Sequence, residues 1–137
     1  MLTKPRYGWT NLRIGDICYP ASYLNDVPID CLDAFIYALE NHIHATIYFD
    51  AEGWDYYLVA YRYDSYVIVN KNTTTVEVIE KDCVQLAEEL IKDTKDYFDS
   101  WVNWQCYHDM DEKEIKERTN EINSKVLQLE DLIKKIK

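Results

Sequence analysis

Apolar residues recur along this chain with two distinct periods. Ile29, Leu32, Phe35, Ile36 and Leu39 fall at helical spacing while Asp30, Asp33, Tyr37 and Glu40 lie off that stripe, and Pro28 suits a first helical position. A helix over about 28–42 is predicted. Ile43, Ala45, Ile47 and Phe49 then alternate with His44, Thr46, Tyr48 and Asp50, the period of a strand, and Asp50-Ala51-Glu52-Gly53 reads as a turn. Trp54 to Tyr63 is apolar or aromatic on both faces, as a central strand would be. Asp64-Ser65 turns into a strand from Tyr66 to Asn70, and Lys71-Asn72-Thr73 into another from Thr74 to Glu80. Consecutive strands joined by such short connections form an antiparallel meander. Upstream, residues 11–19 alternate weakly through Leu12 and Ile14, a first strand broken near Gly15 and ended by Pro20.

Beyond the strands the period returns to that of a helix. Asp82 can cap a second helix whose stripe runs through Cys83, Leu86, Leu90, Ile91, Thr94, Tyr97, Phe98, Trp101 and Val102, about 24 residues or roughly 36 Å. Trp101 and Trp104 stand three apart on it, Trp101 toward the core and Trp104 as the exposed member. A third helix opens with Asp111 three before Glu114 and carries Ile115, Thr119, Ile122, Val126, Leu129, Ile133 and Ile136 at heptad spacing. Five opposite-charge pairs support it: Glu112/Lys116, Glu114/Arg118, Glu121/Lys125, Glu130/Lys134 and Asp131/Lys135. Its seam can pair antiparallel with the second helix or with the same helix of another chain. The first arrangement needs no partner and is the expectation. Leu127 and Leu132, off the seam, widen the stripe beyond a two-stranded coil.

The fold these elements predict is α+β: an antiparallel meander sheet of four to five strands, helices on one face, and a long C-terminal helical hairpin. Its 137 residues, 47% apolar and 29% charged with only 3 Gly and 3 Pro, fit one domain, 1–137, with an acidic α+β core over 1–110 and an amphipathic helix over 111–137. A chain of this size can bury about two-thirds of its surface without a metal or disulfide. The start, MLTKPRYGWTNLR, lacks an apolar stretch with a cleavage site, so a cytoplasmic protein is expected. Cys18, Cys31, Cys83 and Cys106 form no CxxC pair and read as reduced, half-buried small hydrophobes.

Charge is unevenly distributed. The net −10 belongs to residues 1–110, since 111–137 carry 7 acids and 7 bases. From Ile14 to Tyr61 there is no Lys or Arg but eight acids: Asp16, Asp26, Asp30, Asp33, Glu40, Asp50, Glu52 and Asp55. Such a field repels nucleic acid and anionic lipid and attracts a basic protein surface. The plainer alternative is solubility alone.

Candidate chemistry is sparse. His42 and His44, two apart, could share one strand face, and Cys106 with His108 could complete a metal site, although no spacing signature links the pairs. The reading is no metal and no cofactor. Asp109-Met110-Asp111 begins like a calcium loop but has Glu114 where the turn needs Gly and Asn120 at the twelfth position. No phosphate-cradling or hydrolase motif is present. Asp50, Glu52 and Asp55 could serve as acid and base only if enclosed, and a Cys31 or Cys83 nucleophile would need a nearby His in an electropositive setting. The chain is therefore read as a non-enzyme.

Aromatic density is the stronger signal. Tyr48, Tyr56, Tyr57, Tyr61, Tyr63 and Tyr66 plus Trp54 fall within 19 residues, interleaved with Asp50, Glu52, Asp55 and Asp64. Only one sheet face can meet the helices, so several must face solvent. Tyrosines pairing across strands on their own account is the plainer explanation; aromatic anchors rimmed by acids suit a basic protein partner. The candidate partner-binding set is Asp50, Glu52, Trp54, Asp55, Tyr57, Tyr61, Tyr63 and Asp64.

A short acidic chain with a mixed α/β core, aromatic-acidic patches and no catalytic constellation resembles, in type rather than in motif, the immunity proteins of bacterial toxin systems. The segment WTNLRIGDICYPASYLNDVPID, running into CLDAFIYAL and then YFDAEGWDYYLV, has the look of small bacterial cytosolic proteins. That resemblance implies a non-catalytic protein that binds and neutralises a basic toxin, often a nuclease. Two other classes stay open: a structural or regulatory adaptor that oligomerises through its C-terminal helix, and a small enzyme or ligand-binding domain with a pocket between sheet and first helix.

Overall fold

The computed structural model describes residues 1–104 and 109–137. Two strands come first, β1 (Trp9–Ile14) and β2 (Ile17–Ser22), paired antiparallel as a separate two-stranded sheet. The single strand expected over 11–19 is thus a hairpin. Its two-residue turn has Gly15 at φ +59°, the positive φ that primed hairpin turns require. Pro20 does not end the segment but sits inside β2 opposite Asn11, tolerated because β2 is an edge strand of that sheet.

Helix α1 (Val27–Asn41) starts with Pro28 in its first turn and ends at His42, which is left-handed at φ 55°. Its stripe of Val27, Cys31, Leu32, Phe35, Ile36 and Leu39 is buried. Next come β3 (Ala45–Asp50), β4 (Asp55–Ala60), β5 (Ser65–Lys71) and β6 (Thr73–Ile79), hydrogen-bonded in chain order as a four-stranded antiparallel sheet. Ile47, Phe49, Tyr56, Leu58, Val67, Val69 and Ile79 project from its inner face into one core with the residues of α1 and the later helices. The β1–β2 hairpin also lies on this side: the buried Tyr56 hydroxyl donates to the carbonyls of Tyr19 at 3.0 Å and Pro20 at 2.9 Å. Tyr19 in turn donates its hydroxyl to Glu77 of β6 at 2.7 Å.

The long second helix is broken. α2 (Cys83–Asp96) begins with a reciprocal capping box between Asp82 and Gln85, stops at Tyr97 (φ −120°, ψ 33°), and a short α3 (Phe98–Val102) follows. The break lets both indoles enter the core. Trp101 is fully buried with its Nε1–H donating to the Asp93 carbonyl at 3.2 Å, and Trp104, expected to be exposed, is buried and donates to the Asn25 carbonyl at 3.1 Å. A buried indole N–H needs such an acceptor, and the kink supplies the geometry.

Helix α4 (Glu112–Ile136) is capped by Asp111, whose side chain accepts from the Glu114 N–H, and buries Ile122, Val126, Leu129 and Ile133 within its own chain. The expected antiparallel pairing with α2 forms, and α4 packs along α1 as well. It runs parallel to α1, through Arg118–Asp26 at 2.8 Å and Lys125–Asp33 at 2.5 Å, and antiparallel to α2, through Lys95–Glu130 at 2.8 Å and Lys137–Glu88 at 2.7 Å. Leu132 is half-buried against the core but Leu127 is exposed, so it does not widen the stripe. Among the described residues no helix is long and apolar enough to cross a membrane.

Two outcomes follow for stability. Arg118 holds Asp26 through both terminal nitrogens, at 2.8 and 2.9 Å, and also donates to the Trp101 carbonyl. Arg118→Met leaves these acceptors unmatched and should lower unfolding free energy by about 2 kcal/mol; a urea midpoint equal to wild type would refute this. The hydrogen bond to Glu77, then burial, push the Tyr19 phenol up to about 12. A folded value above the unfolded one, about 10, means its contribution is intact below about pH 10 and lost as pH climbs toward 12. Over that window the wild-type melting temperature should fall more steeply than that of Tyr19→Phe; parallel curves would rule out the linkage.

Candidate functional site

Side chains alternate across a strand, and registration across β3–β6 places three rows on the outer face. Thr46, Val59, Tyr66 and Val78 form one; Tyr48, Tyr57, Ile68 and Val76 the next; Asp50, Asp55, Asn70 and Thr74 the last. Apart from Thr46, the first two rows are apolar and aromatic. Val76 is 58% and Val78 60% exposed, while Glu77 between them points inward to Tyr19, so β6 shows its valines to solvent and hides its charge. Among these twelve positions are two carboxylates and no base.

The eight candidate residues separate into two groups joined by Tyr57. At the β3–β4 hairpin, Asp50 and Asp55 stand directly opposite each other, and Glu52 (φ 56°) donates its N–H to Asp50 Oδ1 at 2.7 Å. Asp55 accepts from Asn70 Nδ2 at 3.0 Å and from the Tyr48 hydroxyl at 3.3 Å. Burial first, then Asp55 and Asp50, raise the Tyr48 phenol above its ordinary value. Trp54 is turned to the opposite side of the sheet, half-buried edge-on to Tyr19 (centroids 5.7 Å, 86°), with Lys71 Nζ 4.7 Å from its ring. Tyr57 sits in mid-face, its ring 5.2 Å from that of Tyr48.

The second group lies at the other end of β4, a strand length of about 20 Å away. Tyr61, Tyr63 and Asp64 are exposed in the β4–β5 connection. That connection is tied down on both sides: the Cys83 N–H donates to the Tyr61 carbonyl at 2.8 Å, and the buried Ser65 hydroxyl donates to the Lys81 carbonyl at 2.7 Å. The His44 ring lies 5.0 Å from that of Tyr61, tilted by 32°, and the Tyr61 ring meets Tyr66 edge-on at 5.6 Å. Tyr61, Tyr63 and Tyr66, with Val59, Asp64, Ile68 and Val76, line an open depression of about 670 Å³.

Val59, Tyr66, Ile68, Val76 and Val78 were absent from the candidate set. The signal was present, since Val76 and Val78 alternate with Thr75 and Glu77 in a period of two. Which phase faces inward is set by pairing with β5, which puts Glu77 opposite the buried Val67 and within reach of Tyr19. The one-sign segment is also less free than it reads: Asp26 and Asp33 are ion-paired to α4, and Glu40 accepts from Gln128 at 2.8 Å.

Other candidate chemistry is not assembled. His42 caps α1 and His44 packs on Tyr61, while Cys106 and His108 lie outside the described residues. Among the described residues no group of three or more His, Cys, Asp or Glu is arranged to hold a metal ion. Burial pushes the Cys31 thiol up strongly, and burial with the adjacent Asp82 pushes Cys83 up to about 11. Cys18 is exposed rather than half-buried. Alkylation of the native protein at neutral pH should therefore mark Cys18 and leave Cys31 and Cys83 untouched, read by peptide mass mapping; equal labelling of Cys31 would contradict this burial. No known protein family, curated protein or solved structure matches this chain, so the reading of the face rests on its own residues.

Proposed function

We propose that this chain is a non-catalytic binding protein that docks a basic protein partner on the outer face of its sheet, in the manner of an immunity protein neutralising a bacterial toxin. The observation that carries this reading is the face itself: two apolar-aromatic rows, valines more than half exposed on β6, a row containing two carboxylates, and no base. Contiguous exposed apolar surface on a small domain marks an interaction site. Large rigid side chains such as Tyr48 and Tyr57 anchor a contact at small entropic cost, while Asp50, Glu52 and Asp55 steer a cationic partner and set its orientation.

Size supports using both ends. Four strands about 4.8 Å apart and six residues about 3.3 Å each span roughly 400 Å², about half of what one side of a standard interface buries. The hairpin at 50–55 and the connection at 61–64 would complete the footprint. A dimer through α4 is less favoured, because Ile122, Val126, Leu129 and Ile133 are already buried within one chain.

The test is affinity capture from lysate of the source cells, together with products of neighbouring genes, at about 50 and about 500 mM salt. A basic protein should be retained at low salt and reduced at high salt. Asp55→Lys and Tyr57→Ala, with unchanged melting temperatures, should each weaken it by about tenfold or more. Wild-type affinity in both variants, or capture indifferent to salt, would move the site off this face.

A further inference from the structure

The β4–β5 end of the outer face holds an open depression with an aliphatic, aromatic and acidic lining. Val59, Ile68 and Val76 form an aliphatic floor, Tyr61, Tyr63 and Tyr66 stand around it, and Asp64 lines the same depression. We propose that this depression binds the Arg or Lys side chain of a protein partner, its methylene stem on the aliphatic floor and its charged head between the tyrosine rings and Asp64. This deepens the binding reading above and rests on it for the source of the side chain.

Each part of the depression answers to one part of such a ligand. A basic side chain buries its stem against apolar surface while keeping its head in a polar setting. Aromatic faces attract that head through their quadrupole, and an edge-to-face pair holds its rings in a fixed relative orientation. Tyr61 and Tyr66 have this arrangement, with an interplanar angle of 80°. Neither ring has a cation over it among the described residues. The Tyr63 ring already does, with the Arg62 guanidinium 5.7 Å from its centroid, so the chain itself displays the contact in question. Asp64 supplies the compensating charge and makes no ion pair among the described residues.

The site is also preorganised. The Tyr61 carbonyl is held by the Cys83 N–H at the start of α2, Ser65 is anchored to the Lys81 carbonyl, and His44 braces the Tyr61 ring. Ordering already present in the free protein does not have to be provided on binding.

The full chain should be titrated with n-butylguanidinium, an Arg side-chain mimic, and with n-butylurea, its neutral analogue, following the methyl signals of Ile68 and Val76 by NMR. Saturable shifts are expected with the cation, with the urea at least about fivefold weaker. Tyr66→Leu, which keeps apolar volume but removes the ring, and Asp64→Asn should each weaken the cation by about threefold or more without lowering the melting temperature. Equal response to both probes, no saturation, or unchanged affinity in both variants would overturn the proposal. Its failure is separable from that of the docking reading. If a basic partner is captured and lost with Tyr57→Ala but not with Tyr66→Leu or Asp64→Asn, the depression is not the receptor although the face is the interface. If n-butylguanidinium binds as described and Asp55→Lys and Tyr57→Ala leave capture unchanged, the receptor stands and the wider face fails.

Discussion

A four-stranded sheet has two faces, and the described residues of this chain supply cover for one. Alternation along β3–β6 sends Ile47, Phe49, Tyr56, Leu58, Val67 and Val69 inward, where α1, α2 and the β1–β2 hairpin share a core with them. The same alternation sends Tyr48, Tyr57, Tyr66, Ile68, Val76 and Val78 outward, where they keep much of their exposure. Burying apolar area is worth roughly 25 cal/mol per Å², so the solvated rows represent stabilisation left unused by the free chain and open to a partner. The position of the helices, the hydrogen-bonded place of the hairpin and the character of the candidate site all descend from this one-sided cover.

The C-terminal helix decides how the charge is displayed. Its ion pairs with α1 recur seven residues apart, Arg118 with Asp26 and Lys125 with Asp33, and those with α2 do likewise in the opposite direction, Glu130 with Lys95 and Lys137 with Glu88. Seven residues return close to the same face of a helix, so each pair falls at the edge of the buried seam of Ile122, Val126, Leu129 and Ile133. The tertiary partners displace several local ones: Arg118 turns to Asp26 and Glu130 to Lys95, while Glu121/Lys125 and Asp131/Lys135 persist at 4.0 and 3.6 Å. Asp26 and Asp33 are thereby paired within the chain. The carboxylates of the sheet hairpin, Asp50, Glu52 and Asp55, enter no ion pair among the described residues.

Local periodicity determined a good deal. The helical stripe around Phe35, the alternation from Ala45 to Asp50, the turn signals after β3, β4 and β5, and the heptad of α4 each lie within one segment. The elements they foretold form at nearly those positions, in an α+β arrangement with a four-stranded meander. An element whose signal is its own spacing can be read without knowing what it touches. The aromatic and acidic density of residues 48–66 was legible for the same reason, as was the need for some tyrosines to face solvent.

Tertiary contacts decided the rest. The chain breaks at Tyr97, and beyond it Trp101 and Trp104 both reach interior carbonyls, one on α2 and one preceding α1, which no spacing within the helix reveals. Trp54 and Tyr57 are three apart and so lie on opposite faces of the sheet, but only the placement of Tyr19 and the core determines which face is wet. Strand β6 makes the point most sharply. Its alternation permits either phase, and pairing with β5 sets Glu77 opposite the buried Val67 and Ile79 opposite the buried Ser65, so Glu77 faces inward to meet the hydroxyl of Tyr19, 58 residues earlier, and Val76 and Val78 stay outside. Period is a property of neighbouring residues and is written in the sequence; phase is set by which distant group offers burial or a hydrogen bond, and only the folded chain brings that group into reach.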